Sequence, residues 1–284
     1  MGHVRVMAVT SGKGGVGKTN VVVNLASALV KLRKRVLILD ADLGLGNLDV
    51  LLGLAPRYNL EHVLNGEQDI SDVLVTGPGG ILILPATSGV QEMTALTDQQ
   101  KMHLLSQLDT LEDRIDIMLI DTGAGISNNV TYFATAAQDI VVVASPEPTS
   151  ITDAYALMKV LSVRYGEGRF KLLANMVKSP LEGKEIYRKL TMVADRYLNI
   201  SLDYLGYILQ DDHVPWAVRE QRAVLDLFPK GRASLCFMNL AETICGWSPP
   251  VQLKGNIQFF WRKLIDKASD GTAGQVRVAE QPNR

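Results

Sequence analysis

The chain has little of what marks a secreted, disulfide-held or membrane-spanning protein. Its 284 residues include only two cysteines, Cys236 and Cys245, nine apart in a stretch with helical spacing. With no CxxC pair and no Cys/His cluster, they make neither a zinc site nor a disulfide framework, and reduced thiols in a cytosolic protein are expected. No apolar run approaches the ~20 residues of a membrane span. Neither sign of charge dominates: the net charge is −1, so wholesale electrostatic binding to nucleic acid is not indicated, although a local basic patch stays open. Internal repeats and low-complexity tracts are missing. Met1 leads within three residues into the first predicted strand, so no signal peptide is expected. What is left is an ordinary globular composition, 47% apolar and 21% charged, long enough for one large α/β domain or two small ones.

Against this background one stretch stands out, Ser11 to Asn20, reading SGKGGVGKTN. An apolar, Val-rich run (4–10) precedes it and reads as a buried strand; apolar residues at helical spacing follow it. Gly14, Gly15 and Gly17 lack a Cβ, so consecutive N–H groups can turn inward around an anion, and the new helix points its positive end at the same spot. Lys18 then places a point charge on the β- and γ-phosphates and Thr19 offers a hydroxyl to Mg²⁺. Spacing, the Lys-Thr ending and the flanking elements agree on a P-loop.

Short apolar runs recur along the chain between helical patterns. Strands are predicted at 4–10, 35–40, 81–85, 116–121, 139–145, 169–175 and 204–208, and helices near 18–33, 95–114, 128–137, 150–165, 182–198, 214–224 and 233–246. Near-continuous apolar content fits parallel strands covered on both faces, and the alternation argues an α/β doubly wound sheet with ligands at the carboxyl ends of its strands. The first credible boundary is Ser248-Pro249-Pro250. That gives a P-loop body over 1–247, a segment 248–268, and a polar tail 269–284 expected to be disordered.

Two further acidic motifs end predicted strands. In LDADLGLGNLD, Asp40 and Asp42 lie two apart, and carboxylates beside a Mg²⁺-triphosphate either hold the metal's waters or orient the attacking water. In DIMLIDTGAGIS, an apolar strand ends at Asp121, the Walker B pattern, with Asp121 expected to hold Mg²⁺ through a water; Gly123 and Gly125 make the following turn permissive. Further on, Thr149 or Ser150 reads as a helix cap with Asp153 completing a near capping box. Asn175 closes LLANMV, where its amide could read an adenine or satisfy local backbone. Near the end, Ile257, Phe260, Trp261, Leu264, Ile265 and Ala268 form one apolar stripe opposite a mildly basic face. Such a helix suits a membrane interface or docks on its own protein.

The KGGVGKT loop, with Lys13 directly before the glycine pair, resembles the deviant Walker A loop of the MinD/ParA ATPases. The resemblance covers about residues 4–246, and DTGAGIS, EPTSITDAYALMK and LLANM resemble its flagellar-number-regulator branch, FlhG/FleN. It implies a Mg²⁺- and ATP-dependent homodimer in which Lys13 reaches the partner's ATP in trans while Lys18 acts in cis; sequence alone also permits Lys13 to be a solvated loop charge. The implied nucleotide-binding set is Gly12, Lys13, Gly14, Gly15, Val16, Gly17, Lys18, Thr19 and Asn20, with Glu147 and Thr149 near the partner's ribose, Asn175 on adenine, and Gln210 and Asp211 on the loop over the base. A proline common in that loop is replaced here by Leu209 or Gln210. The resemblance further implies that Asp42 orients the attacking water, Asp40 supports the metal and phosphates, and Asn47 matches a switch I asparagine. Thr19, Asp40 and Asp121 are thus the expected metal set; Lys13, Lys18, Asp42 and Asp121 the catalytic one.

Slow hydrolysis would then act as a timer in a regulator of flagellar number or placement. The implied partners are a flagellar transcription activator (FleQ-like) and an SRP-type flagellar GTPase (FlhF-like). The implied location is cytoplasmic, with ATP-dependent peripheral association with an anionic inner-membrane surface through Ile257–Ala268. The chain carries no DQA-type N-terminal motif, which leaves a contact with flagellar switch components unsupported. A partitioning ATPase that binds DNA nonspecifically is the alternative; it would call for a basic surface and a strong salt dependence.

Overall fold

The computed structural model describes residues 4–43, 46–86 and 96–248. In chain order its elements are β1 (Arg5–Ser11), α1 (Lys18–Lys31), β2 (Val36–Ala41), α2 (Leu48–Leu52), α3 (Leu60–Leu64), α4 (Ile70–Val73), β3 (Val75–Thr76), β4 (Leu82–Leu84), α5 (Asp98–Asp109) and β5 (Ile117–Ala124). There follow α6 (Asn128–Ala136), β6 (Asp139–Ala144), α7 (Pro148–Tyr165), β7 (Arg169–Val177), α8 (Pro180–Tyr197), β8 (Ser201–Leu209), α9 (His213–Arg219), α10 (Val224–Leu227) and α11 (Arg232–Cys245).

The strands form one sheet in the order β3-β4-β2-β5-β1-β6-β7-β8. Every pairing is parallel except that of the two-residue β3 with β4. Strand periodicity divides each central strand between two cores. From β1, Val6 and Ala8 face α3 to α8, while Met7 and Val9 face α1, α2, α10 and α11. Both faces are therefore covered, which is why these strands read as unbroken apolar runs. The doubly wound α/β architecture read from the sequence is the one observed.

Several boundaries differ for identifiable reasons. The segment between β2 and β4 holds three helices of four or five residues and β3; elements this short fall below the window in which helical periodicity registers. The single helix expected over 214–224 is two, α9 and α10, because Gln221 takes φ 54 and breaks it. The helix expected over 95–114 is α5 alone plus a 3-10 turn at Glu112–Arg114, starting from a Thr97/Gln100 capping box. Asp121 does not end its strand: β5 runs on to Ala124, pairing Ala124 with Ser11, and Gly125 N donates to Ser11 O at 2.9 Å. The cap expected at Thr149 or Ser150 lies at Glu147, with no side-chain cap bond. Pro148, with φ already fixed, starts α7 earlier, and the Ser150 hydroxyl instead accepts from Ser145 N at 3.0 Å. The terminal stripe Ile257–Ala268 and the tail 269–284 lie outside the described residues.

Candidate functional site

Register brings the chemistry together. β5 lies between β2 and β1, and Asp121 pairs laterally with Asp40 on one side and Val9 on the other. The carboxyl ends of these three strands form the floor under the loop that joins β1 to α1.

The loop has the backbone that phosphate binding needs. Gly15 and Gly17 take φ 77 and 84, left-handed values that a Cβ would strain. Gly17 is the N-cap of α1, so the free N–H groups of Lys18, Thr19 and Asn20 open onto the loop. Gly12 is needed for close packing: a Cβ there would sit 2.0 Å from the carbonyl oxygen of Asp153 on α7. Val16 plugs the loop into the core. The Ser11 hydroxyl donates to Lys13 O at 2.7 Å.

On the floor, Lys18 is only 9% exposed. Burial lowers its pKa, opposed by the charges of Asp121 and Asp42. Asp121 is buried, and its pKa is raised to about 7, chiefly by burial, against the hydrogen bond from Thr19 and the charge of Lys18. Its Oδ1 is buried and finds no hydrogen-bond partner among the described residues. Asp40 is pushed well up by burial and then by Asp121, while the backbone N–H groups of Asp42 and Leu48 pull the other way. Its Oδ1 accepts from Asp42 N at 3.1 Å. Asp42 lies against the end of β5: a Cβ built on Gly123 would come 3.3 Å from Asp42 Oδ1.

An orphaned carboxylate oxygen beside a threonine hydroxyl, at the foot of a cationic loop, fits Mg²⁺. Among the described residues no three His, Cys, Asp or Glu groups are placed to hold a metal by themselves. Mg²⁺ does not need such a cage, because it keeps several waters and binds through one or two protein groups plus substrate phosphates. Thr19 and Asp121 are the pair in position, with Asp40 behind them.

The rim is different. Lys13 Nζ forms an ion pair with Glu147 Oε2 and donates to Thr149 Oγ1 at 2.9 Å. The three residues expected to act across a dimer thus meet one another within a single chain. Asn175 is buried and donates through Nδ2 to Val16 O at 2.8 Å. The neighbouring Met176, with φ 59, interrupts the β7–β8 register and lets Asn175 turn inward. Asn20 accepts at its carbonyl from Asn24 Nδ2 at 2.8 Å, and its own side-chain Oδ1 is buried with no partner among the described residues.

On the loop after β8, Gln210 N donates to Val177 O at 2.8 Å. Asp211 is occupied structurally: Oδ1 takes His213 N at 3.0 Å and Oδ2 takes Ala233 N at 3.0 Å, joining α9 to the start of α11. Asn47 is the N-cap of α2, without a side-chain cap bond. Cys236 is buried and Cys245 half-buried, both free, and burial raises both thiol pKa values.

Sequence reasoning missed three supports of this site. Gly46 packs against Asp40, where a Cβ would lie 3.0 Å from Oδ2; the glycine spacing of LGLGN was the signal available. Asn24 and Gln221 carry no local motif and become visible only through their long-range partners, Val224 N at 2.7 Å and Val50 O at 2.9 Å. Among the described residues no helix is long and apolar enough to cross a membrane.

A family model described as an AAA domain matches residues 4–166. The chain is 48% identical over 273 residues to the antiactivator FleN of Pseudomonas aeruginosa, covering 96% of this chain and 98% of that one. It is 35% identical over 229 residues to the flagellum site-determining protein YlxH of Helicobacter pylori, covering 80% and 77%. Among solved structures, the MinC:MinD cell division complex of Aquifex aeolicus matches with a TM-score of 0.69 at 28% identity, over 88% of this chain and 100% of that one. With the two-lysine P-loop and Thr19 hydrogen-bonded to the buried Asp121 beneath it, these matches make the chain a member of the MinD/ParA family of Mg²⁺-dependent ATPases, in the branch of the flagellar-number regulators.

Proposed function

We propose that this ATPase is an ATP-controlled homodimer that restrains a flagellar transcription activator and so limits flagellar number or placement. The regulatory part rests on likeness to a protein named an antiactivator and to one named flagellum site-determining. The dimer rests on one observation: of the two lysines in the loop, one is sunk in the floor and the other sits on the rim, held only by exposed side chains.

The residues divide the work as follows. Lys18 and the N–H groups of Gly15 to Thr19 cradle the phosphates of the chain's own nucleotide. Thr19 and Asp121, with Asp40 behind them, would hold Mg²⁺, which when bound would neutralise charge developing on the β- and γ-phosphates. Asp42, against Gly123, orients the attacking water. Lys13 leaves Glu147 and Thr149 to reach the partner's phosphates, and these two turn to the partner's ribose. Asn175 reads the base. A carbonyl can only accept, so the bond to Val16 O fixes the amide with Oδ1 turned away from the loop, where it suits the exocyclic amine of adenine and not the O6 of guanine. Asp211, tied to α9 and α11, shapes the loop over the base, and Gln210 is the side chain there with the freer reach.

The protein works in the cytoplasm and, as the ATP dimer, binds an anionic membrane surface peripherally through Ile257–Ala268. One short helix binds weakly, and pairing two raises avidity without a new contact. An SRP-type flagellar GTPase is the second partner. The deciding experiment is nucleotide-dependent dimerisation and activator capture with the wild type and Lys13→Ala. ATP, not ADP, should promote both in the wild type, and Lys13→Ala should bind ATP yet lose both. Flotation with anionic liposomes, equal in ATP and ADP, would remove the membrane part.

A further inference from the structure

The short helix α2 is tied at both ends, and one tie has no role in the account above. At its start, Leu48 N donates to the carboxylate of Asp40, the group that also accepts Asp42 N. At its end, Gln221 Nε2 donates at 2.9 Å to Val50 O, a last-turn carbonyl that the C-cap N–H of Gly53 reaches only at 3.3 Å.

Gln221 is one of three non-glycine residues with left-handed φ among those described. An L side chain disfavours that conformation, and it persists only where surrounding contacts impose it. Those contacts are visible. Gly53, the left-handed C-cap of α2, lies so close that a Cβ there would be 3.0 Å from Gln221 Oε1 and 3.4 Å from its Cβ. Three residues on, Val224 N donates to the buried Asn24 Oδ1 at 2.7 Å, and Asn24 Nδ2 donates to Asn20 O at 2.8 Å, in the first turn of the P-loop helix. Leu48, Leu51 and Leu52 of α2 share a core with Val224 and Leu225. Residues 221–224 therefore strap α2 to α1, and α2 in turn keeps Leu48 N on Asp40 at the end of β2.

We propose that Gln221 is a positioning residue for ATP hydrolysis. It fixes the carboxyl end of α2, α2 keeps Leu48 N on Asp40, and Asp40 so anchored keeps the Asp42 backbone in place to orient water. Gln221 touches no reacting atom; it acts through α2 and Asp40. The inference rests on the assignment of Asp42 made above.

Two variants test it. Gln221→Gly keeps the left-handed backbone without strain and removes the donor. Gln221→Glu keeps the shape and turns an acceptor toward the Val50 carbonyl. Single-turnover hydrolysis, equilibrium ATP binding and Tm are measured for both beside the wild type and Asp42→Ala. The expected result is a drop in the hydrolysis rate of about two- to tenfold in each, the size of one lost hydrogen bond, with ATP affinity within about twofold of wild type. Unchanged rates in both variants, with Asp42→Ala inactive, would overturn this inference alone. ATP affinity falling in step with the rate would overturn it too, by making Gln221 a merely structural residue. Wild-type rates in Asp42→Ala would instead overturn the parent assignment. Should Gln221→Glu fold poorly, Gln221→Gly decides.

Discussion

Lys18 and Lys13 belong to one loop, five residues apart, and live in different physical regimes. Lys18 sits on the floor, 9% exposed, its charge disfavoured by burial and supported by Asp121 and Asp42. Lys13 sits on the rim with a 35%-exposed side chain and pairs with Glu147, whose side chain is 64% exposed. An exposed pair of this kind contributes about 0.2–1 kcal/mol at most, so exchange for a phosphate partner meets little resistance. A buried charge is bound to its partners, because breaking them leaves it unsolvated. The floor is thus built to stay as it is with or without a second chain, and the rim is built to change partners.

The strongest way to break this division is Asp42→Ala. If the floor does the chemistry, hydrolysis should fall roughly 10²- to 10⁴-fold, the range for loss of a group that orients or deprotonates a nucleophile, while ATP binding stays; phosphate release measures the first and calorimetry the second. Lys18→Ala should instead weaken ATP binding roughly 10- to 100-fold, the range for one charge-assisted hydrogen bond.

The floor should also betray itself by pH. The folded-state pKa of Asp121 is about 7 against 3.8 unperturbed, so the folded chain holds the extra proton between these values. The stability this contributes is complete below about pH 4 and is lost as pH rises through 7. Mg²⁺ requires the ionised carboxylate, so the rise in Tm given by Mg²⁺-ATP should be larger at pH 8 than at pH 6. Equal shifts would place the metal elsewhere. The rim should give the smallest effect. Glu147→Gln, which removes the within-chain anion, should leave ATP affinity unchanged and alter ATP-dependent dimerisation by less than about fivefold. Lys13→Ala should impair it more than Glu147→Gln does; the reverse order, read by analytical ultracentrifugation, would erase the distinction between the two lysines.

How much of this could be read beforehand follows the same line. The floor was legible because its chemistry is local: SGKGGVGKT is contiguous, and Asp40 and Asp121 each follow an apolar run whose pattern both cores enforce. Asp121 was nevertheless misjudged as a strand end, since only the neighbouring β1 keeps β5 paired as far as Ala124. The start of α7 was misplaced because Pro148 outweighs the hydroxyls of Thr149 and Ser150. Asn24 and Gln221 could not be weighed at all, because their partners Val224 and Val50 lie 200 and 171 residues away; Asn175 was legible as a strand-end amide, but not its bond to Val16 O, 159 residues away. Short helices such as α2 are stabilised by what they pack on and not by their own propensity, so periodicity does not reveal them.

The central claim is that nucleotide, held on the floor of one chain, joins it to another through the rim. Asp42→Ala separates binding from turnover and so holds the nucleotide state still. Light scattering coupled to size exclusion, with Mg²⁺ and either ADP or ATP, should give one chain's mass, 31.0 kDa, in ADP and twice that mass in ATP. A single chain's mass in both nucleotides, with ATP shown to be bound, would contradict the account.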